Sequence, residues 1–365
     1  MKPKPLLVAV LLCPTLSQAA IVVWGNEYSY VTNPPALEHV TAIAAGGTFG
    51  MALKRDGNFA VWGDPCNAAR LEYKAITNAS SPPIVLVAGG PATSAVLFAD
   101  GSARSWGDTE SRYTIGPGSG VIQLGCGRES LFGLRANGTV LALGEDLGGA
   151  VIVPADLAGV TAIAVNGFPM ALKSDGTIAV WGVARYGPDE LTNIPPAAVH
   201  TVAIAAGQSH ALALQADGSV LAWGRDIEGQ ASIPSDLPKA KAIAAGRLHS
   251  LALGRDGKIY GWGDNSHGEL DVPPGLGRVL AIAAGCGWSM ALTAEHPRMS
   301  ARRGDNGELE LILEAEPGGD YGIECFENSA WWPLLSITNL EASPKVFSDP
   351  AWAGREGRFY RALMR

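Results

Sequence analysis

From residue 21 to residue 296 the apolar positions fall into short runs, each cut by glycine and each returning at a similar interval. Ala42-Ile43-Ala44-Ala45-Gly46 returns as Ala203-Ile204-Ala205-Ala206-Gly207, as Ala242 to Gly246 and as Ala281 to Gly285. Looser copies run Leu86 to Gly90, Leu124 to Gly127 and Ala162 to Gly167. A second apolar run follows, such as Met51-Ala52-Leu53 or Ala211-Leu212-Ala213-Leu214, and then a turn pair: Asp56-Gly57, Asp100-Gly101, Asn137-Gly138, Asp175-Gly176, Asp217-Gly218 and Asp256-Gly257. A third run ends in Trp-Gly at Trp62, Trp106, Trp181, Trp223 and Trp262, with Leu143 in the degenerate copy. Each unit thus predicts strand, turn, strand, tight hairpin, strand. Asp-Gly and Asn-Gly suit a two-residue hairpin turn with positive φ at its centre. Prolines between units (Pro82-Pro83, Pro154, Pro195-Pro196, Pro234, Pro273-Pro274) suit an outer edge, where a missing N–H breaks no ladder.

The last Ala-Gly unit, Ala281 to Leu292, has no Asp-Gly and Trp-Gly half after it; the missing half stands at the other end, as Ile21-Val22-Val23-Trp24-Gly25. Joining the two completes a seventh unit and removes an open sheet edge. The fold expected is all-β: a seven-bladed β-propeller over residues 21–296, closed by the N-terminal strand, then a small β-sandwich-like module at 298–365. That last segment lacks the repeat but has strand-like runs at Leu309 to Glu314, Tyr321 to Phe326 and Arg358 to Leu363.

Residues 1–20 change the compartment. Lys2 and Lys4, the apolar run Leu6 to Leu12 and Ser17-Gln18-Ala19 form a secretory signal pattern, too short for a membrane span. Its removal predicts an exported, secreted or periplasmic protein and takes the formal charge from −8 to −10. An acidic chain argues against nucleic acid as a partner. Cys66, Cys126, Cys286 and Cys325 would remain; export permits disulfides, four cysteines allow three pairings, and no CxxC spacing points to zinc.

Trp262-Gly263-Asp264-Asn265-Ser266-His267-Gly268-Glu269-Leu270, with Ala245-Gly246-Arg247-Leu248-His249-Ser250-Leu251-Ala252-Leu253 before it, resembles the regulator of chromosome condensation repeat family. The short units, 37 to 44 residues between Trp-Gly positions, resemble its secreted bacterial branch, which includes an inhibitor of β-lactamases. The resemblance implies a seven-bladed propeller with a binding role. It also implies partner contacts by aromatics near the post-glycine positions, here Phe49 and Trp288.

Direct reading of the chemistry yields no catalytic set. His210 and His249 occupy a place held by Phe49 and Trp288 in other units, so shape rather than titration is repeated. Ser209 and His210 point to opposite faces of a strand, a poor dyad. Asp264 to Glu269 alternates oxygens but lacks calcium-loop spacing, and Gly116 to Gly120 lacks the lysine of a phosphate loop. Glu145 and Asp146 have no distant carboxylate partner for glycoside cleavage. No metal or cofactor is expected. Alternating strand direction puts the post-glycine turns and the loops after Trp-Gly on one face, which varies from unit to unit.

The expected partner-binding residues there are Phe49, Arg128, Glu129, Phe168, Gln208, His210, Arg247, His249 and Trp288, flanked by Tyr28, Tyr30, Arg112, Tyr113, Arg185, Tyr186 and His267. Aromatics and arginines often carry interface energy; the plainer reading is that Phe and Trp plug the channel mouth. The expected function is a monomeric, secreted, non-enzymatic scaffold that presents this face to a protein or glycan, with no insertion into membranes. Behind it stand an inhibitor of a secreted or periplasmic hydrolase and a carbohydrate-active enzyme. Guanine-nucleotide exchange, the activity of the family's namesake, fits neither the leader nor the acidity.

Overall fold

The computed structural model describes residues 9–10, 21–25, 31, 33–37, 39–63, 81–107, 113–146, 149–182, 189–294, 298–303, 309–314, 321–327, 330–337, 345–348 and 359–364. The chain divides into two units, residues 21–293 and residues 1–20 with 294–365.

Among the described residues of the repeat unit there are seven antiparallel sheets. The first joins Val40–Ala45, Phe49–Lys54 and Phe59–Gly63; the second joins Ile84–Gly89, Thr93–Phe98, Ala103–Gly107 and a short fourth strand, Thr114–Ile115. The third and fourth are Val121–Cys126, Ser130–Arg135, Val140–Gly144 and Val160–Val165, Pro169–Lys173, Ile178–Val180. The fifth and sixth are Thr201–Ala206, His210–Gln215, Val220–Gly224 and Ala240–Ala245, His249–Gly254, Ile259–Gly263. The seventh draws on both ends of the unit: Val279–Ala284 pairs with Trp288–Thr293, which pairs with Ile21–Gly25. Gly25 lies opposite Trp288 as Gly63 lies opposite Phe49 and Gly263 opposite His249. The N-terminal strand therefore holds the place of a Trp-Gly strand.

Middle strands are buried along nearly their whole length, as their unbroken apolar runs require. First strands carry a register shift next to their second residue, which turns Val85, Ile122, Val202 and Leu280 outward. The core lies between sheets. Phe49, Met51 and Leu53 of the first sheet pack on Val87, Val96 and Phe98 of the second. Later pairs follow the same plan, and Trp288, Met290 and Leu292 of the seventh pack on Val40, Ala52 and Trp62 of the first.

The hairpins depart from the expected two-residue turn. Only the glycines have positive φ (Gly57 at 79°, Gly138 at 80°, Gly257 at 84°), while the preceding Asp or Asn does not. Gly57 N–H donates to Lys54 O and Lys54 N–H to Asn58 O, the pattern of a type I turn closed by a glycine bulge. The aspartate side chain instead accepts the N–H two residues on, as in Asn58 N to Asp56 Oδ1 at 3.0 Å and Ser219 N to Asp217 Oδ1 at 2.8 Å. Side-chain hydrogen bonds from Asn58, Ser102 and Thr177, followed by these backbone bonds, hold the exposed hairpin carboxyls of Asp56, Asp100 and Asp175 below the ordinary aspartate value.

In the other unit, Arg298–Arg303, Leu309–Glu314 and Lys345–Ser348 form one sheet, and Ala9–Val10, Phe359–Met364, Tyr321–Glu327 and Ala330–Ile337 form another. Leu311, Leu313, Ile323 and Ile337 are buried there. Among the described residues no helix is long and apolar enough to cross a membrane.

Candidate functional site

Each post-glycine turn joins the first and middle strands of a sheet, and neighbouring turns are bonded to one another. Gly47 N–H donates to Gly90 O (3.2 Å), Thr93 Oγ1 to Arg128 O (2.8 Å), Gly167 N–H to Gly207 O (3.2 Å) and Arg247 N–H to Gly285 O (3.1 Å). The seventh turn reaches the first: Cys286 N–H (3.2 Å) and Trp288 Nε1–H (2.8 Å) both donate to Gly47 O. The loops after Trp-Gly lie beside these turns, since Arg225 N–H donates to Ser209 O and Asp264 N–H to Leu248 O. Both sets of loops therefore share one face.

The ring or hydroxyl that follows each turn points inward. Phe49 is 5% exposed, Phe168 2%, and His210, His249 and Trp288 0%. The glycine at the head of the turn is the reason. A Cβ at Gly46 would fall 2.0 Å from Phe49 Cζ, at Gly207 2.3 Å from His210 Cε1, and at Gly285 2.1 Å from Trp288 Nε1. Phe49, His210, His249 and Trp288 are each seated on their own glycine, and Phe168 is equally buried behind a turn headed by Asn166, so these five side chains are closed to a partner. The exposed members of the expected set are Arg128 and Arg247, with Glu129 and Gln208 half-buried. Arg247 Nε donates to Gln208 Oε1 across two turns (3.2 Å). Tyr113 is half-buried, its hydroxyl donating to Glu129 O (3.0 Å), and His267 is exposed. Tyr28, Tyr30, Arg112, Arg185 and Tyr186 lie outside the described residues.

The two histidines are neutral cross-sheet donors. Ser250 Oγ–H donates to Gln230 O (2.8 Å), so the 3.0 Å contact between Ser250 Oγ and His210 Nε2 has the imidazole donating. His249 repeats this with Ser289, whose hydroxyl donates to Glu269 O (2.8 Å). Burial pushes the His210 imidazole down to about 3, helped by neighbouring His249, and burial pushes His249 down to about 4. Such groups are poor bases and out of reach of substrate. Sequence reading weighed only the adjacent Ser209 as a partner for His210, rejected it, and missed Ser250; the available signal was Ser recurring after His249 and Trp288 at the repeat interval.

The same carbonyls receive the Trp-Gly indoles. Trp262 Nε1–H donates to Gln230 O (3.0 Å) and Trp24 Nε1–H to Glu269 O (2.8 Å), as Trp62, Trp181 and Trp223 donate to Val31, Ala150 and Leu191. Among the described cysteines, Cys126 and Cys286 are free thiols, raised above the ordinary value by burial. Cys66 lies outside the described residues. Asp264, His267 and Glu269 bring one ligand atom each within 4.8 Å of one another, the one described group with the donor types of a metal site.

Residues 201–230 and 240–269 match the regulator of chromosome condensation (RCC1) repeat. Comparison with curated proteins found no match. Among solved structures, Prp20p from Saccharomyces cerevisiae is similar over 76% of this chain and 91% of its own, at 19% identity and TM-score 0.60. Human WBSCR16 is similar over 75% and 99%, at 16% identity and TM-score 0.59. The ectodomain of the Physcomitrella patens receptor kinase CR4 is similar over 73% and 77%, at 18% identity and TM-score 0.53. The seven sheets have the fold of RCC1-like β-propellers, and two of their units carry the repeat in sequence.

Proposed function

We propose that this is an exported protein-binding scaffold: a closed propeller of seven blades whose turn face recognises a protein partner and performs no catalysis. Closure is supported by the seventh sheet, built from both ends of the unit, and by the bonds from Cys286 and Trp288 back to Gly47. Export is supported by the signal pattern of residues 1–20.

One observation carries the binding reading. Within each turn the head residue, glycine in all but the fourth (Asn166), and the inward residue are constrained by packing, yet the positions between them differ in almost every sheet. They read Gly47-Thr48, Pro91-Ala92, Arg128-Glu129, Gln208-Ser209, Arg247-Leu248 and Cys286-Gly287, with Gly167 alone in the shorter fourth turn. The hairpins on the opposite face repeat Asp-Gly or Asn-Gly. A rigid backbone presenting non-repeating side chains loses little entropy on binding, which favours recognition. Protein partners are supported by the similar Prp20p, described with its binding to Gsp1p and histones and solved bound to Kap60. Among the described residues expected on this face, the exposed side chains include arginines and no Phe, Tyr or Trp, so Arg128 and Arg247 are its proposed anchors.

The test is affinity capture from culture supernatant and periplasm with wild type, an Arg128→Glu/Arg247→Glu variant and a Lys258→Glu control on the hairpin face. A partner retained by wild type and control but lost by the double variant supports the reading. Equal capture by all three moves the site off this face.

A further inference from the structure

We propose that Asp264, His267 and Glu269 form a binding site for a divalent first-row metal ion, zinc being the best fit to two carboxylates and an imidazole. Nothing in the sequence spacing predicts it: the expectation there is of no metal at all, because the calcium-loop pattern fails. The structure supplies a different reason. Glu269 is 1% exposed, and its Oε1 has no hydrogen-bond partner. Its other oxygen accepts the His267 N–H at 2.7 Å, which fixes the side chain, while Oε1 faces His267 Nδ1 at 3.8 Å. A buried carboxylate with one oxygen unsatisfied is costly unless a cation or donors meet it.

The neighbouring repeat shows what the fold itself requires. Gln230 stands where Glu269 does, one repeat earlier: each accepts one indole and one hydroxyl bond on its backbone carbonyl, and Gln230 Oε1 accepts the Glu228 N–H at 2.8 Å. An amide therefore serves the structural role, so the negative charge at 269 is an addition that the packing does not need. The other two donors are added at the same repeat, Asp264 replacing Arg225 and His267 replacing Glu228. Among the described residues a full set of metal-type ligands thus appears in one unit, around the one carboxylate found buried there.

The arrangement can close on an ion. Zinc ligands sit about 2.0–2.2 Å from the metal, so three of them lie within about 3.5 Å of each other. The present 4.8 Å spread needs modest approach by exposed His267 and half-buried Asp264 toward the fixed Glu269. Ser266 Oγ–H donates to Asp264 Oδ2 at 3.0 Å, an outer contact of the kind that orients a ligand. Three protein ligands leave a fourth position for water or for a side chain brought by a partner. The site also lies on the seam between the two ends of the repeat unit. A Cβ at Gly25 would lie 2.9 Å from Glu269 Cα, and the indole of Trp24 is bonded to Glu269 O. Metal bound there should stabilise the N-terminal strand in place by mass action.

The experiment is calorimetric titration of zinc ion into the purified, untagged, chelator-stripped protein, with thermal melts with and without excess zinc. Wild type is expected to take up one equivalent and to melt higher with zinc, reversibly on adding EDTA. Glu269→Gln, the residue the preceding repeat already uses, is expected to fold and to lose affinity by more than about 100-fold, beyond what loss of a supporting contact does. His267→Ala, at an exposed position, is the second variant and is expected to weaken binding at least about tenfold. Failure of wild type to bind zinc overturns the site. So does unchanged affinity in either variant.

Discussion

His210 and His249 make an acid-sensitivity prediction that can be worked from their burial. Both imidazoles sit wholly inside the repeat unit, with folded values pushed down to about 3 and about 4, against about 6.5 for an unfolded histidine. The lowered folded value means that their contribution is complete above pH 6.5 and drains away as pH falls toward 4, where the unfolded chain binds protons that the folded chain refuses. Between pH 7 and pH 5 an unfolded histidine gains most of a proton while these two gain almost none. The linkage relation then gives a loss of about 2 kcal/mol for each, about 4 kcal/mol together. That is a large part of a typical domain's stability of about 5–15 kcal/mol. The perturbation is His210→Phe/His249→Phe, because phenylalanine fills the same seat at Phe49 and Phe168. Urea unfolding followed by tryptophan fluorescence at both pH values gives the comparison, in which background carboxylate titration cancels. Wild type should lose about 4 kcal/mol more than the double variant between pH 7 and pH 5. Equal losses in the two proteins would refute the burial of neutral imidazoles.

Three further substitutions test the packing. Trp181→Ala and Trp24→Ala each remove a buried indole and its bond to a connecting loop, and each should cost about 3–5 kcal/mol in urea unfolding. A near-neutral Trp24→Ala beside a costly Trp181→Ala would mean that the N-terminal strand is dispensable and the seventh sheet open. Gly90→Ala would put a Cβ 2.2 Å from the carbonyl oxygen of Cys126, where backbone must move, and should cost about 1–3 kcal/mol. An unchanged unfolding midpoint would show that the second and third turns are not in close contact.

The sheets were legible because their signals are local and repeated. Gly46, Asp56-Gly57 and Trp62 each mark a break or an end that recurs in sheet after sheet, and Trp24-Gly25 could be matched to the half-unit left open at Leu292. The turn type was misjudged because Asp-Gly serves two hairpin geometries, and the choice depends on whether the aspartate side chain caps the N–H two residues on. The face was legible; the direction of its side chains was not. Middle strands are buried on both sides, so alternation could not tell whether Phe49 and Trp288 look outward. The usable clue was the glycine three residues earlier, which is a seat for a ring rather than only a turn residue. Contacts such as His210 with Ser250, or Asp264 with Glu269, depend on how repeats stack and on where loops fold back. Neither distance appears in a linear spacing rule.

Hydrogen exchange on the complex with a captured partner tests the binding face most directly. Slowed exchange is predicted in the turns headed by Gly46, Gly90, Gly127, Gly207, Gly246 and Gly285, with the Asp-Gly hairpins unchanged. Slowing confined to the hairpins, or to residues 298–365, would contradict a scaffold that binds through its turn face.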